Sequence, residues 1–181
     1  SWWRTFALIV VVNLLALLVV IVVGTPFTAA GGRSGPALWA RLQAPKERGI
    51  FRKIGFVATV EDGPALIARR FQPDVVQVPC NILDQRAARG GVIDDLAAQG
   101  VEVHLASVFA QGLLFANRES LPPELAAHGM ALSRTRRRLA EARVDPMQAA
   151  LAYALNLPGG ASVIAWVAPG PGSQIGGCAR W

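Results

Sequence analysis

Three short apolar segments in the middle of the chain decide the fold: KIGFVATV at Lys53–Val60, DVVQVP at Asp74–Pro79 and VEVHLASVF at Val101–Phe109. Their length and their β-branched residues are typical of buried strands. Segments with helical spacing lie between them, at Asp62–Arg70 and Gly91–Gln99. A chain that alternates strand and helix in this way predicts an α/β fold with a parallel sheet.

The same alternation continues on both sides of this segment. A helix is predicted at Ala37–Gly49, two more at Glu124–Ala142 and Pro146–Leu157, and a fourth strand at Ser162–Val167. Repeated strand and helix units of this length fit either a doubly wound sheet or a (β/α)8 barrel. The pattern alone does not choose between these two architectures.

The N-terminal run Phe6–Val23, FALIVVVNLLALLVVIVV, carries no charge and predicts one transmembrane helix, since its helical length approaches the ~30 Å of bilayer hydrocarbon. Trp2, Trp3 and Arg4 precede it, as expected at a headgroup interface. Asn13 is the strongly polar residue within the run. Its amide either contacts a partner in the membrane or is simply tolerated there, and both readings stay open.

This run divides the chain into a transmembrane anchor at 1–27, a glycine-rich linker at 28–36 and a domain at 37–181. A cleavable signal peptide is the competing interpretation, but its apolar region is usually shorter. We therefore expect a single-pass protein of a bacterial-type inner membrane. The basic N-terminal tail favours a cytoplasmic N-terminus.

The formal net charge of +6 suggests an anionic partner. The densest basic cluster consists of Arg134, Arg136, Arg137 and Arg138. It could contact lipid phosphate or acidic protein, although a solvated helix face is the commonest explanation of such a cluster. Because no nucleic-acid-binding motif accompanies it, we expect no nucleic acid partner.

The cysteines and histidines do not predict a metal site. Cys80 and Cys178 lie far apart, and neither His104 nor His128 has a second ligand at metal-binding spacing. We therefore expect isolated thiols and structural histidines.

Five segments in order resemble the second half of an aldo/keto reductase: RKIGFVATVEDGPAL, FQPDVVQVPCNILDQR, GVEVHLASVFAQGLL, LPPEL and DPMQAALAYALNLPGGASVIAWV. The resemblance covers about 37–168 and is most specific at Gln77, Asn81 and the segment 111–114. It implies a truncated, half TIM-barrel-like domain with about four parallel strands behind the transmembrane helix.

The resemblance also bears on catalysis. Aldo/keto reductases carry their catalytic tyrosine, aspartate, lysine and histidine on the first half of the barrel, where this chain has the apolar N-terminal run. We therefore expect no catalytic residue. Tyr153, the single tyrosine, lies among alanines and leucines, which favours a packing role.

The cofactor contacts that the resemblance implies are partly kept. Gln77 matches the residue that binds the nicotinamide amide, while Asn81 and Ser107 are further remnants of the cofactor-binding half. Other positions depart from the family's polar, aromatic, glycine or cationic residues: Val57, Ala58, Thr59, Ala106, Trp166 and Ala168. We expect no bound cofactor.

Together these features predict a non-catalytic, membrane-anchored accessory or structural subunit of a larger membrane protein complex, such as a photosynthetic light-harvesting and reaction-centre core or a respiratory complex. Its expected partners are integral membrane subunits and lipid, which Trp2, Trp3, Arg4 and Asn13 would contact. The alternative is an NADP-dependent oxidoreductase or nucleotide-binding module completed by another chain, and only that alternative requires NADPH.

Overall fold

A computed structural model describes residues 10–14, 17–23, 35–116, 129–159 and 162–164, with side chains from residue 35 onward. These residues form six strands and six α-helices. The strands are β1 Val10–Leu14, β2 Leu17–Val23, β3 Lys53–Val57, β4 Val75–Pro79, β5 Glu102–Ala106 and β6 Ser162–Val163. The helices are α1 Gly35–Glu47, α2 Pro64–Phe71, α3 Arg86–Arg89, α4 Val92–Ala98, α5 Gly129–Glu141 and α6 Pro146–Leu155.

The strands form one sheet in the order β1-β2-β3-β4-β5-β6. The β1 strand pairs antiparallel with β2, and every later neighbouring pair is parallel. The four strands predicted from the sequence, β3 to β6, are confirmed as parallel neighbours. Strands that follow the chain in sequential order, with helices between them, fit part of a TIM-like barrel.

One face of the sheet packs against the helices and forms the core. Alternate residues of the three central strands point to this face, because side chains alternate along a strand. They are Ile54 and Phe56 of β3, Val76 and Val78 of β4, and Val103 and Leu105 of β5, each at most 1% exposed. Trp39 of α1 and Phe71 of α2 pack on this layer with their ring centroids 5.9 Å apart.

The intervening residues, among them Gly55, Val75, Gln77 and His104, point to the opposite face of the sheet. At Gly55 the neighbouring strand comes very close: an added Cβ would lie 1.9 Å from the Val75 carbonyl oxygen and 2.6 Å from its Cγ1. Only glycine fits this approach. Gly55 therefore fixes the spacing of β3 and β4 in the middle of the sheet.

The N-terminal run differs from its prediction, because the structure forms β1 and β2 within Phe6–Val23 instead of one transmembrane helix. The β2 strand pairs with β3 from Val19–Lys53 to Val23–Val57. The physical reason lies in the composition: a strand within a parallel sheet reads as a continuous apolar run, and Val and Ile favour strands. Among the described residues, no helix has both the length and the apolar character needed to cross a membrane.

Candidate functional site

The carboxyl ends of β3, β4 and β5 meet at one edge of the sheet, where barrels of this kind place their sites. Backbone hydrogen bonds hold this edge together. Ala58 N donates to Gln77 O at 3.0 Å, and Cys80 N donates to Ala106 O at 3.1 Å. The residues that follow the three strands therefore form one continuous rim.

Asn81 is the central residue of this rim and is 5% exposed. Its Nδ2 donates to the Ser107 carbonyl oxygen at 3.0 Å. Its Oδ1 accepts from the backbone N–H groups of Leu83 and Asp84, both at 2.9 Å. Asn favours such turns because its amide imitates a backbone peptide group. The carboxamide thus joins the loop after β4 to the loop after β5.

The loop after β5 holds three non-glycine residues in the left-handed region of backbone space. Ser107, Ala110 and Gln111 have φ values of 56°, 49° and 54°. Such a conformation costs roughly 1 kcal/mol or more per residue and persists only where surrounding contacts impose it. Here Ala110 N donates to Ser107 O at 2.7 Å. The loop is therefore a strained, tightly hydrogen-bonded turn directly beside Asn81.

Gln77 lies apart from the other two predicted residues. It is half-buried in the middle of β4, with Val57 and His104 as its neighbours in register. Its carboxamide forms no hydrogen bond within the described part of the chain, and it is not joined to Asn81 or Ser107. The structure thus brings Asn81 and the Ser107 backbone together and places Gln77 on the sheet face below them.

A charged group on that same face was missed by the sequence analysis. Lys53 Nζ forms an ion pair with Glu102, and His104 Nε2 donates to the Glu102 carboxylate at 2.8 Å. Burial acts to raise the pKa of Glu102, but the hydrogen bonds from Lys53 and His104 outweigh it and lower the pKa overall. The available signal was the spacing of Glu102 and His104, two residues apart and therefore on one face.

His104 is largely buried, with a side chain that is 13% exposed. Its Nδ1 atom is also buried and has no hydrogen-bond partner among the residues that the structure describes. The sequence predicts a structural histidine here, and the contact with Glu102 on the same strand agrees with that role.

A cavity of about 1000 Å³ opens beside the rim. Asn81, Ala110 and Leu132 are among its lining residues, together with Arg86 of α3. The Arg86 guanidinium is not available as a simple cation, since Nη2 contacts Asp84 at 2.7 Å and Nη1 pairs with Glu61. Hydrogen bonding and charge from Asp84 raise the pKa of Arg86. The cavity is therefore bordered by an ion cluster in which one guanidinium group contacts two carboxylates.

Tyr153 lies on the helix side of the sheet, where it packs against the core. Its hydroxyl is 3.9 Å from the Cys80 sulfur. Burial, reinforced by the neighbouring thiol, raises the pKa of Tyr153 to about 12. This tyrosine thus has the surroundings of a packing residue.

The remaining predicted contact residues lie near the N-terminus. Trp2, Trp3 and Arg4 lie outside the described residues, and Asn13 is described only as a backbone position in β1.

Comparison with known proteins agrees with the geometry of the domain. Residues 33–168 match the model of the aldo/keto reductase family. No individual curated protein matches the chain significantly.

Proposed function

Because this chain belongs to the aldo/keto reductase family, we propose that it uses the family's scaffold without its chemistry, as a non-catalytic accessory subunit of a larger membrane protein complex. The observation that carries this proposal is the environment of Asn81. Among the described residues, all of its side-chain hydrogen bonds go to the backbone of its own rim. A buried polar residue at the edge where ligands bind thus serves to hold two loops together.

The neighbouring rim positions support the same proposal. Val57, Ala58 and Ala106 stand where the family resemblance leads us to expect polar or aromatic contacts to a cofactor, and the two alanines are 2% and 9% exposed. Their side chains offer no hydrogen-bonding group and little stacking surface. Tyr153, with its raised pKa and its place on the helix side, is unsuited to proton donation at the rim.

The membrane setting of the proposal rests on the net charge of +6, which favours a surface of anionic lipid. A transmembrane helix over Phe6–Val23 would replace strands β1 and β2. The proposal therefore does not depend on such a helix. We propose integral membrane subunits as partners, with a photosynthetic core or a respiratory assembly as examples of the class.

A second candidate is an NADP-dependent oxidoreductase or nucleotide-binding module that another chain completes. The strained loop favours it, because left-handed non-glycine residues cluster at sites that clamp ligands. Gln77 supports it as well, since its carboxamide has no partner within the described residues and is available for the nicotinamide amide.

Purification from native membranes in a mild detergent, followed by mass spectrometry, tests the first candidate. We expect integral membrane subunits to copurify in constant ratio with the chain. Isolation of the chain as a lone monomer would contradict the proposal.

Titration with NADPH separates the two candidates. Saturable binding at micromolar concentration, weakened by Gln77→Leu but not by the exposed control Gln43→Leu, would support the second candidate. The first candidate predicts no saturable binding by the wild type or by either variant.

A further inference from the structure

The basic cluster of α5 divides into two groups that point in opposite directions. Arg136 points inward, where its guanidinium donates to the Leu114 carbonyl oxygen at 3.0 and 2.9 Å and also to the Ala116 carbonyl oxygen. Leu132 on the same side is 2% exposed. These contacts fix the helix against the loop after β5 and determine which face remains outside.

The outward face of α5, here called the basic face, consists of Met130, Arg134, Arg137 and Arg138. The four residues follow helical spacing and are exposed, with Met130 at 70%. Within the described part of the chain, none of the three arginines forms an ion pair. Glu141, one turn further along, is the single acidic residue on this side of the helix.

A shallow groove of about 280 Å³ runs along the basic face. It is lined by Met130, Ser133, Arg134 and Arg137. The groove therefore combines two guanidinium groups and a hydroxyl, which bind phosphate oxygens, with one exposed thioether side chain, which is apolar.

We propose that the basic face of α5 docks on a bilayer surface that carries acidic phospholipid headgroups. Charge complementarity supports this partner, since three guanidinium groups that have no ion-pair partner among the described residues face outward from a chain with net charge +6. The exposed Met130 supports a lipid surface in particular, because its apolar side chain can enter the interface between the headgroups that the arginines bind. Single-stranded nucleic acid fits less well, since α5 carries no aromatic residue on which bases could stack.

This inference refines the proposed membrane role and rests on it for the location of the protein, but it does not require a transmembrane helix. It also explains how the domain could be oriented at the membrane. With Arg136 holding α5 to the loop after β5, a docked basic face would set the angle of the whole sheet to the bilayer.

Flotation of the full chain with lipid vesicles tests the proposal. Vesicles of phosphatidylcholine with 30% phosphatidylserine are compared with pure phosphatidylcholine vesicles at low salt. We expect Arg134→Gln, Arg137→Gln and Arg138→Gln together to lower partitioning to the acidic vesicles about a hundredfold, at roughly fivefold per arginine. The control Arg41→Gln, Arg48→Gln and Arg69→Gln changes the net charge equally at exposed sites and should bind as the wild type does.

A second readout is independent of how the N-terminal run meets the membrane. Arginine-specific dicarbonyl labelling, read by mass spectrometry, should show protection of Arg134, Arg137 and Arg138 on acidic vesicles compared with neutral ones. Arg41 and Arg69 should be labelled equally on both.

Three results would overturn the docking proposal: equal labelling of the basic face on both kinds of vesicle, an equal loss of binding in the control variant, or tighter wild-type binding to a single-stranded oligonucleotide than to acidic vesicles. The accessory-subunit proposal is tested separately, by the purification from native membranes: it fails if no subunits copurify with the chain.

Discussion

The Asn81 carboxamide forms hydrogen bonds with three backbone groups, so its removal should destabilise the rim. We expect Asn81→Ala to lower the free energy of unfolding by about 3 kcal/mol, because the Ser107 carbonyl and two loop N–H groups lose their partner in a buried place. Urea denaturation measures this change. The exposed substitution Gln43→Ala is the control, and equal midpoints for the two variants would contradict the bridging role.

The ionisation of Glu102 makes the folding stability of the protein depend on pH. Because its pKa is lower in the folded state than its ordinary value of 4.5, the stabilisation is present above that value and is lost as the pH falls through the folded pKa. We expect the wild type to exceed Glu102→Gln in stability at neutral pH and to lose this advantage in acid. Urea midpoints between pH 7 and pH 3 test this expectation, with the exposed Glu47→Gln as control.

At the level of single residues, the sequence predicts candidate positions but not the contacts between them. Gln77, Asn81 and Ser107 are candidates from the family resemblance, but the link between Asn81 and Ser107 runs through a backbone carbonyl, which no side-chain pattern reveals. The Lys53, Glu102 and His104 group was missed because Lys53 lies on another strand. Its distance from Glu102 depends on the register of the sheet, which the sequence does not specify.

At the scale of the element, the contact between β3 and β4 depends on Gly55. We expect Gly55→Ala to destabilise the protein by about 1 to 3 kcal/mol, since the new methyl group must displace the Val75 backbone. Differential scanning calorimetry should show a fall in the melting temperature. The control Gly49→Ala concerns a glycine with open space around it, although its φ of 76° adds some strain of its own. A smaller effect at Gly55 than at Gly49 would contradict the close approach.

Strand β2 provides a test of the N-terminal run. Val20 is paired with Val11 on one side and with Ile54 on the other. Proline at this position removes a ladder hydrogen bond, so we expect Val20→Pro to lower the melting temperature by about 5 °C, while the apolar and β-branched Val20→Ile has a smaller effect. A transmembrane helix would tolerate proline much better. Equal melting temperatures for the two variants would therefore favour a helix.

The N-terminal run shows why element type was harder to predict here than in the middle of the chain. An unbroken apolar run is shared by a membrane helix and by a strand of a parallel sheet. The residues between β1 and β2, Leu15 and Ala16, carry none of the usual turn signals. The abundance of Val and Ile in Leu17–Val23 was the signal that pointed to a strand.

At the scale of the whole molecule, β1 forms one edge of the six-stranded sheet, paired on one side only within the described residues. An unpaired edge is a template for association with another chain. We expect the isolated protein to self-associate as its concentration rises, and Val12→Lys to reduce this association, because a lysine on an edge strand opposes pairing. Sedimentation velocity measures the effect. Association that is unchanged in Val12→Lys would place the contact elsewhere.

The parallel arrangement of β3 to β6 followed from the alternation of strands and helices, and the family followed from the order of motifs. The orientation of α5 did not follow from the sequence, since four arginines within five positions look alike there. Their division into one inward and three outward side chains depends on the carbonyl groups of Leu114 and Ala116, which only the folded chain brings near Arg136.

Cys80, which contacts Tyr153 in the core, makes it possible to measure how often the domain opens. Burial raises the pKa of the Cys80 thiol, and the residue is 0% exposed, so an alkylating reagent reaches it only after the core around it opens. The rate of alkylation at Cys80 therefore measures how often the core opens in the native protein. Peptide mapping distinguishes this cysteine from Cys178. A partner that stabilises the closed domain would slow the alkylation of Cys80 without contacting that residue.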